Sequence, residues 1–220
     1  MTKAYVSIVT KKLHGQDFNL LNAQQFSIFI CYEFVYLKYV TMNFVLILLS
    51  GLAGLIVLLL IVALFVRKKY SVHRAITIKL SKQKVFEYLK QLKNQDNFSK
   101  WALMDPNMKK EYQGTDGTIG FISVWESKNK NVGQGEQEIK DIVEGKRIDL
   151  EIRFIKPFKG LAKAYLSTEM ISENVTLVKW GFDSKMTYPM NLMLLVMNMD
   201  KMIGNDLETG LNNLKKLLDK

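Results

Sequence analysis

The sequence predicts an α+β domain: a seven-stranded, curved antiparallel sheet wrapped on one long C-terminal helix, preceded by one transmembrane helix. Three observations predict it. Asn43–Val66 is a run of 24 residues without a charged side chain. Residues 71–80 and 109–185 alternate apolar and polar side chains in short segments separated by turn residues. Residues 190–218 repeat apolar side chains at three- and four-residue steps instead.

As a helix, the apolar run reaches roughly 36 Å, enough to cross a hydrocarbon core of about 30 Å with some tilt. It stays uncharged when widened to Tyr39–Val66 and ends at Arg67-Lys68-Lys69. A core helix of a soluble protein would be shorter and would keep a polar stripe. A cleaved signal would have a shorter apolar run and an A-x-A-like site after it, which is lacking. Before it, residues 1–41 form an extension of uncertain status. Phe26–Val40 is rich in aromatic side chains but is broken by Glu33 and Lys38, so it suits an interfacial helix better than a second span. Met42 is an alternative start, in which case the chain opens MNFVLILL and the extension is spurious. Cys31 is the one cysteine, which excludes an intramolecular disulfide, and it reads as a small apolar residue.

The formal net charge is +10. Lys3, Lys11, Lys12 and Lys38 against Asp17 and Glu33 leave +2 before Arg67, so the remainder carries +8. A basic domain tethered to a bilayer is expected to face anionic headgroups. Nucleic acid is not an expected partner, because the basic residues are scattered, with no reading helix or aromatic RNA motif. Arg67, Lys68, Lys69, Arg74, Lys79 and Lys82 follow the run closely, whereas Lys38 alone precedes it within fifteen residues. The positive-inside rule then predicts a single-pass protein of the cell membrane with residues 71–220 in the cytoplasm.

Ser71–Leu80 is the first expected strand, with Val72, Ile76, Ile78 and Leu80 on one face and Arg74 an exception among them. Ser81 can cap a short helix whose apolar stripe is Val85, Phe86, Leu89 and Leu92. A second short turn is expected over Asp96–Trp101. Strands are then expected over Lys109–Gln113, Ile119–Glu126, Val132–Val143, Arg147–Phe154, Leu161–Met170 and Val175–Lys185. Arg147–Phe154 has the clearest alternation, with Ile148, Leu150, Ile152 and Phe154 on one face and four charged residues on the other. That pattern means one buried face and one wet face. After Pro189, the period changes to that of a helix over Met190–Leu218, about 43 Å long. Gly204 and Gly210 cost it up to about 1 kcal/mol each, which suggests a bend or a close approach to the sheet.

This order resembles the START-like or helix-grip fold, and in particular the polyketide cyclase/dehydrase branch of the SRPBCC superfamily. The resemblance covers residues 71–220. It rests on SKQKVFEYL, NFSKWALMDPNMKKEYQG, GTDGTIGFISVWES, VGQGEQEI and the ending MNMDKMIGNDLETGLNNLKKLLDK. Membrane-anchored members with one N-terminal helix are familiar in bacteria. The resemblance implies a deep apolar cavity between sheet and last helix that takes a lipid, a polyketide or another hydrophobic molecule. Cyclase activity does not transfer with the fold.

The residues themselves offer little catalysis. His14 and His73 are the two histidines, and His14 precedes the apolar run, so no nucleophile–His site assembles. His73 falls on the solvent-facing alternation. HExxH and CxxC are both lacking, and no metal or cofactor is expected. Gly114–Gly120 and Gly133-Gln134-Gly135 lie between strands and read as turns and bulges, not phosphate loops. The expected pocket lining is Trp101, Phe121, Trp125, Phe154, Trp180 and Phe182, with Met190, Met193 and Met197 as an adaptable methionine face. Binding of a hydrophobic small molecule or lipid is the leading expectation. A cyclase- or hydratase-type enzyme using Glu136 or Asp183 is a second, and a non-catalytic interaction module with a filled core is a third.

Overall fold

The computed structural model describes residues 20–219. Residues 1–19, including His14 and the first part of the N-terminal extension, lie outside the described residues. The chain divides between Leu58 and Leu59 into two units.

The first unit is helical. Helix α1 runs Leu20–Phe65, so it begins well before the expected Asn43. No Gly or Pro interrupts 20–50, and Glu33 and Lys38 lie on exposed surface. The Thr41 hydroxyl donates back to the carbonyls of Leu37 and Lys38 at 2.9 and 3.0 Å, which keeps its polar group inside the helix. Gln25–Phe65 is long and apolar enough to cross a membrane by length and composition.

The second unit contains seven strands: β1 Lys69–Ile78, β2 Lys109–Gln113, β3 Ile122–Glu126, β4 Gln134–Val143, β5 Arg147–Lys156, β6 Gly160–Ser172 and β7 Val175–Lys185. They form one antiparallel sheet in the order β1-β7-β6-β5-β4-β3-β2. Chain neighbours pair throughout, except that β1 crosses to pair with the last strand. Helix α2 (Lys82–Lys90), a 3₁₀ turn (Leu92–Asn97) and helix α3 (Lys100–Met104) fill the β1–β2 connection. β3 starts at Ile122, not Ile119, because Gly117 and Gly120 take positive φ in a turn that Ile119 shares. The core lies on one face of the sheet. Val72, Ile139, Ile148, Leu166 and Val178 are buried there together with Val85, Phe86 and Leu89 of α2.

The C-terminal segment is long and helical, but not one helix over Met190–Leu218. A 3₁₀ turn (Met190–Leu192) and the single-turn α4 (Met193–Val196) come first, and α5 spans Met199–Leu218. Met197 is extended between them, at φ −96 and ψ 123. Asn198 then caps α5, its side-chain oxygen accepting from the Lys201 backbone N–H at 2.9 Å, and Asp200 in the first turn suits the positive end of the helix dipole.

Two sequence anomalies explain each other. Arg74, the exception on the first strand, donates to both carboxylate oxygens of Asp200 at 2.9 and 3.0 Å and to its backbone carbonyl at 2.9 Å. Its guanidinium occupies the space where a Cβ on residue 204 would lie, so Gly204 lets the helix pass over it. That hydrogen bond holds the Asp200 carboxyl below the usual range. At Gly210, an added Cβ would come within 2.7 Å of Trp180 Cζ3. Trp180 is pinned edge-on by Phe98 and Trp101 at 5.6 and 6.2 Å between ring centres, so it has little room to yield.

Gly210→Ala is therefore expected to lower stability by about 1–3 kcal/mol through overpacking, although alanine is the better helix former. Urea or thermal unfolding of the full chain in detergent checks this. Equal or higher stability would contradict the close approach.

Candidate ligand cavity

Alternation along the strands aims large side chains at α5. From β5 come Leu150, Ile152 and Phe154; from β7, Trp180 and Phe182; from β3, Ser123 and Trp125. From Leu207 onward, α5 closes tightly on the sheet through Leu207, which also touches the cavity, Leu211 and Leu214, each 0–1% exposed. Its first half does not. Met202, Ile203 and Asp206 instead roof a cavity of about 340 Å³, within the range of small-molecule sites.

Its walls are largely aromatic. Trp125 meets Phe154 edge-on at 6.3 Å, Phe154 meets Phe182 at 6.5 Å, and Phe182 stacks with Tyr70 at 6.4 Å. Such rings support one another and resist collapse into the space between them. Gly135 admits the Trp125 ring, since a Cβ there would come within 2.6 Å of it.

Of the residues expected to line a pocket, Trp101, Trp125, Phe154, Trp180 and Phe182 lie on this cavity. Phe121 does not; it is buried beside it, stacked on Tyr112 at 6.0 Å. Met190, Met193 and Met197 also lie outside the lining. The break at Met197 removes them from the axis of α5, and Met190 and Met193 are exposed. The methionines that reach the cavity are Met108 and Met202.

The lining also has a polar side, which the alternation of apolar residues does not mark. Gln95 and Ser99 are buried. Gln137 Nε2 donates to Gln95 Oε1 at 3.2 Å, and Gln95 Nε2 has no hydrogen-bond partner among the described residues. An unpaired buried amide costs about 1–3 kcal/mol, so this donor favours a ligand that brings an acceptor. The one available signal was Gln137 on the same alternation as the buried Gly135 and Ile139. Asp96 and Lys110 pair at 2.8 Å at the edge, and the Tyr112 hydroxyl donates to Asp96 at 2.9 Å. Lys100 pairs with Asp206 across the roof. Burial pushes the Tyr70 phenol up, with a hydrogen bond to Ser184 acting against it. Burial, followed by the bond to Asp96, pushes the Tyr112 phenol up to about 12.

The carboxylates expected for catalysis are elsewhere. Glu136 accepts from Arg153 at 2.5 Å, within a cluster where Arg153 also donates to Glu138 and Glu151. Asp183 is exposed, as is His73. Neither Glu136 nor Asp183 lines the cavity. No group of three or more His, Cys, Asp or Glu is gathered in metal-binding geometry among the described residues.

No protein-family model matches the sequence, and no curated protein matches it. Solved structures are similar in fold. Major latex-like protein 151 from Panax ginseng matches with a TM-score of 0.50 at 12% identity, over 69% of this chain and 99% of its own. Norcoclaurine synthase from Thalictrum flavum, in complex with dopamine and hydroxybenzaldehyde, matches with a TM-score of 0.51 at 10% identity, over 68% and 86%. The shared feature is a Bet v1-like, SRPBCC-like helix-grip fold.

The raised Tyr112 phenol makes stability fall at alkaline pH. Below the ordinary phenol value of 10.0 its contribution is fully present; it is lost as pH rises to about 12, because the unfolded chain releases that proton first. Denaturant midpoints across this window are expected to fall more steeply for the natural chain than for Tyr112→Phe. Parallel slopes would contradict the assignment.

Proposed function

We propose that this chain is a membrane-anchored binding protein for a hydrophobic small molecule or lipid, held between the sheet and α5. The observation that carries this reading is the unfilled aromatic cavity of about 340 Å³. A module with a filled core is disfavoured by the same volume. An enzyme using Glu136 or Asp183 is disfavoured by their positions, and the norcoclaurine synthase likeness extends to the fold alone.

The ligand has an apolar body and at least one hydrogen-bond acceptor, which pairs with Gln95 Nε2. Residues 43–66 cross the bilayer, with the cavity domain on the cytoplasmic side, in keeping with Arg67-Lys68-Lys69 after the span. An anchor keeps the cavity near the phase into which such ligands partition.

Binding is read from tryptophan fluorescence of the full chain in detergent, since Trp101, Trp125 and Trp180 all line the cavity. A carbonyl-bearing fatty-acid probe is expected to quench it saturably. Ala102→Trp, which fills half-buried space on the cavity wall, should abolish saturable quenching without unfolding the protein. Saturable binding unchanged in Ala102→Trp would count against the site. Gln95→Leu is expected to weaken the carbonyl probe about tenfold relative to a hydrocarbon analogue, the value of one hydrogen bond of about 1–1.5 kcal/mol. Equal effects on both probes would remove the acceptor from the ligand description.

A further inference from the structure

Strand register sorts the connections of the sheet into two ends with different surfaces. Lys69 pairs with Lys185, Phe154 with Gly160, Gln134 with Lys156 and Glu126 with Gln134. The start of β1, the end of β7 and the loops 127–133 and 157–159 therefore share one end. These segments present Arg67, Lys68 and Lys69, then Lys128 and Lys130, Lys156 and Lys159, and Lys185, all exposed. None of these eight takes part in an ion pair among the described residues. The nearby acids are few. Glu126 ends β3, and Asp105 accepts a hydrogen bond from Ser127 at 2.5 Å. At the opposite end, segment 79–82 and turns 114–121, 144–146 and 173–174 carry Lys79, Lys82 and Lys146 against Asp116, Glu144 and Glu173, which balance. The domain is thus polarised along its strands.

The basic end also exposes apolar side chains; the opposite end does so too, at Ile119, Met170 and Ile171, but without unbalanced cations beside them. Phe158 is 76% exposed at a loop tip between Lys156 and Lys159, and Val196 is 81% exposed beside Leu195. The segment that bears Val196 is fastened to the last turns of α1. Asn191 Nδ2 donates to the carbonyls of Ala63 and Val66 at 2.7 and 3.0 Å, and the Tyr188 hydroxyl donates to that of Leu60 at 3.4 Å. Leu59–Val66 belongs to the same unit as the sheet. One wall of the cavity reaches this end: among the exposed lining residues, Asn131 belongs to loop 127–133, while Met202 lies in the first turn of α5.

We propose that this end of the sheet docks on the anionic surface of the bilayer, with Phe158, Leu195 and Val196 among the acyl chains and the lysines on the headgroups. It rests on the membrane-anchor reading of α1 given above. Apolar tips flanked by unpaired lysines have the composition of an interfacial anchor, and two weak attachments acting together hold where one does not. Docked this way, Asn131 on the cavity wall lies at the bilayer surface, which shortens the path of a ligand between bilayer and cavity.

The test uses the full chain with Cys31→Ser, in nanodiscs of phosphatidylcholine with and without phosphatidylserine, carrying one environment-sensitive label and acyl-chain-brominated lipid as quencher. Labels go on Phe158→Cys, Val196→Cys, Glu173→Cys at the far end, and Leu52→Cys in the span. With phosphatidylserine, labels at 158 and 196 are expected to be quenched and blue-shifted, with 173 unaffected. Quenching at 158 should fall severalfold when Lys128, Lys130, Lys156 and Lys159 are changed to Glu, or when salt is raised. Quenching at 52 without quenching at 158 and 196 would overturn the docking alone. No quenching at 52 would overturn the anchor reading and the docking with it. Quenching at 173 equal to that at 158 would overturn the assigned end.

Discussion

The structure depends on how one amphipathic helix meets one curved sheet. From Leu207 onward, α5 lies flush, with Leu207, Leu211 and Leu214 buried and Gly210 admitting Trp180. Its end is tied down as well: Asp219 accepts from the Lys79 N–H at 2.6 Å, and Lys215 donates to the Thr77 carbonyl at 2.5 Å. Over its first half, the attachment is polar. Arg74 grips Asp200 beneath Gly204, which fixes the helix without filling the space beside it. A helix sealed at one end and held by a clamp at the other leaves a cavity. The edge-to-face aromatic rings lining it keep it open.

The polar groups follow from that cavity. Gln95 is buried because the 3₁₀ turn brings it under the roof, and Gln137 meets one of its two polar atoms. The remaining N–H is a cost for as long as it has no acceptor. Charged pairs stay toward the edge, at Asp96–Lys110 and Lys100–Asp206, where water softens the cost of desolvation.

Much of this was legible in local pattern. The alternation Ile148, Leu150, Ile152, Phe154 reads directly as a strand facing the core, and the spacing of Leu207, Leu211 and Leu214 as the sealing half of a helix. Long-range relations were not legible. Arg74 breaks the alternation of its strand, and the residue that accommodates it, Gly204, lies 130 positions later. Apolar spacing runs on through Met190–Leu218, so it hid the extended Met197; the cap Asn198 with Asp200 after it was the local mark of a new start. That break is why Met190, Met193 and Met197 lie outside the cavity and Met202 on it. Gln95 carries no local mark of burial, because a polar residue in a short turn ordinarily faces water.

A cavity walled by aromatic side chains should not stay empty. The most direct test is native mass spectrometry of the full chain released gently from the membranes in which it was expressed. One apolar adduct per chain, retained in mild detergent and released on unfolding, is the predicted result. A bare chain mass under conditions that preserve the fold would contradict the assignment of a ligand-binding cavity.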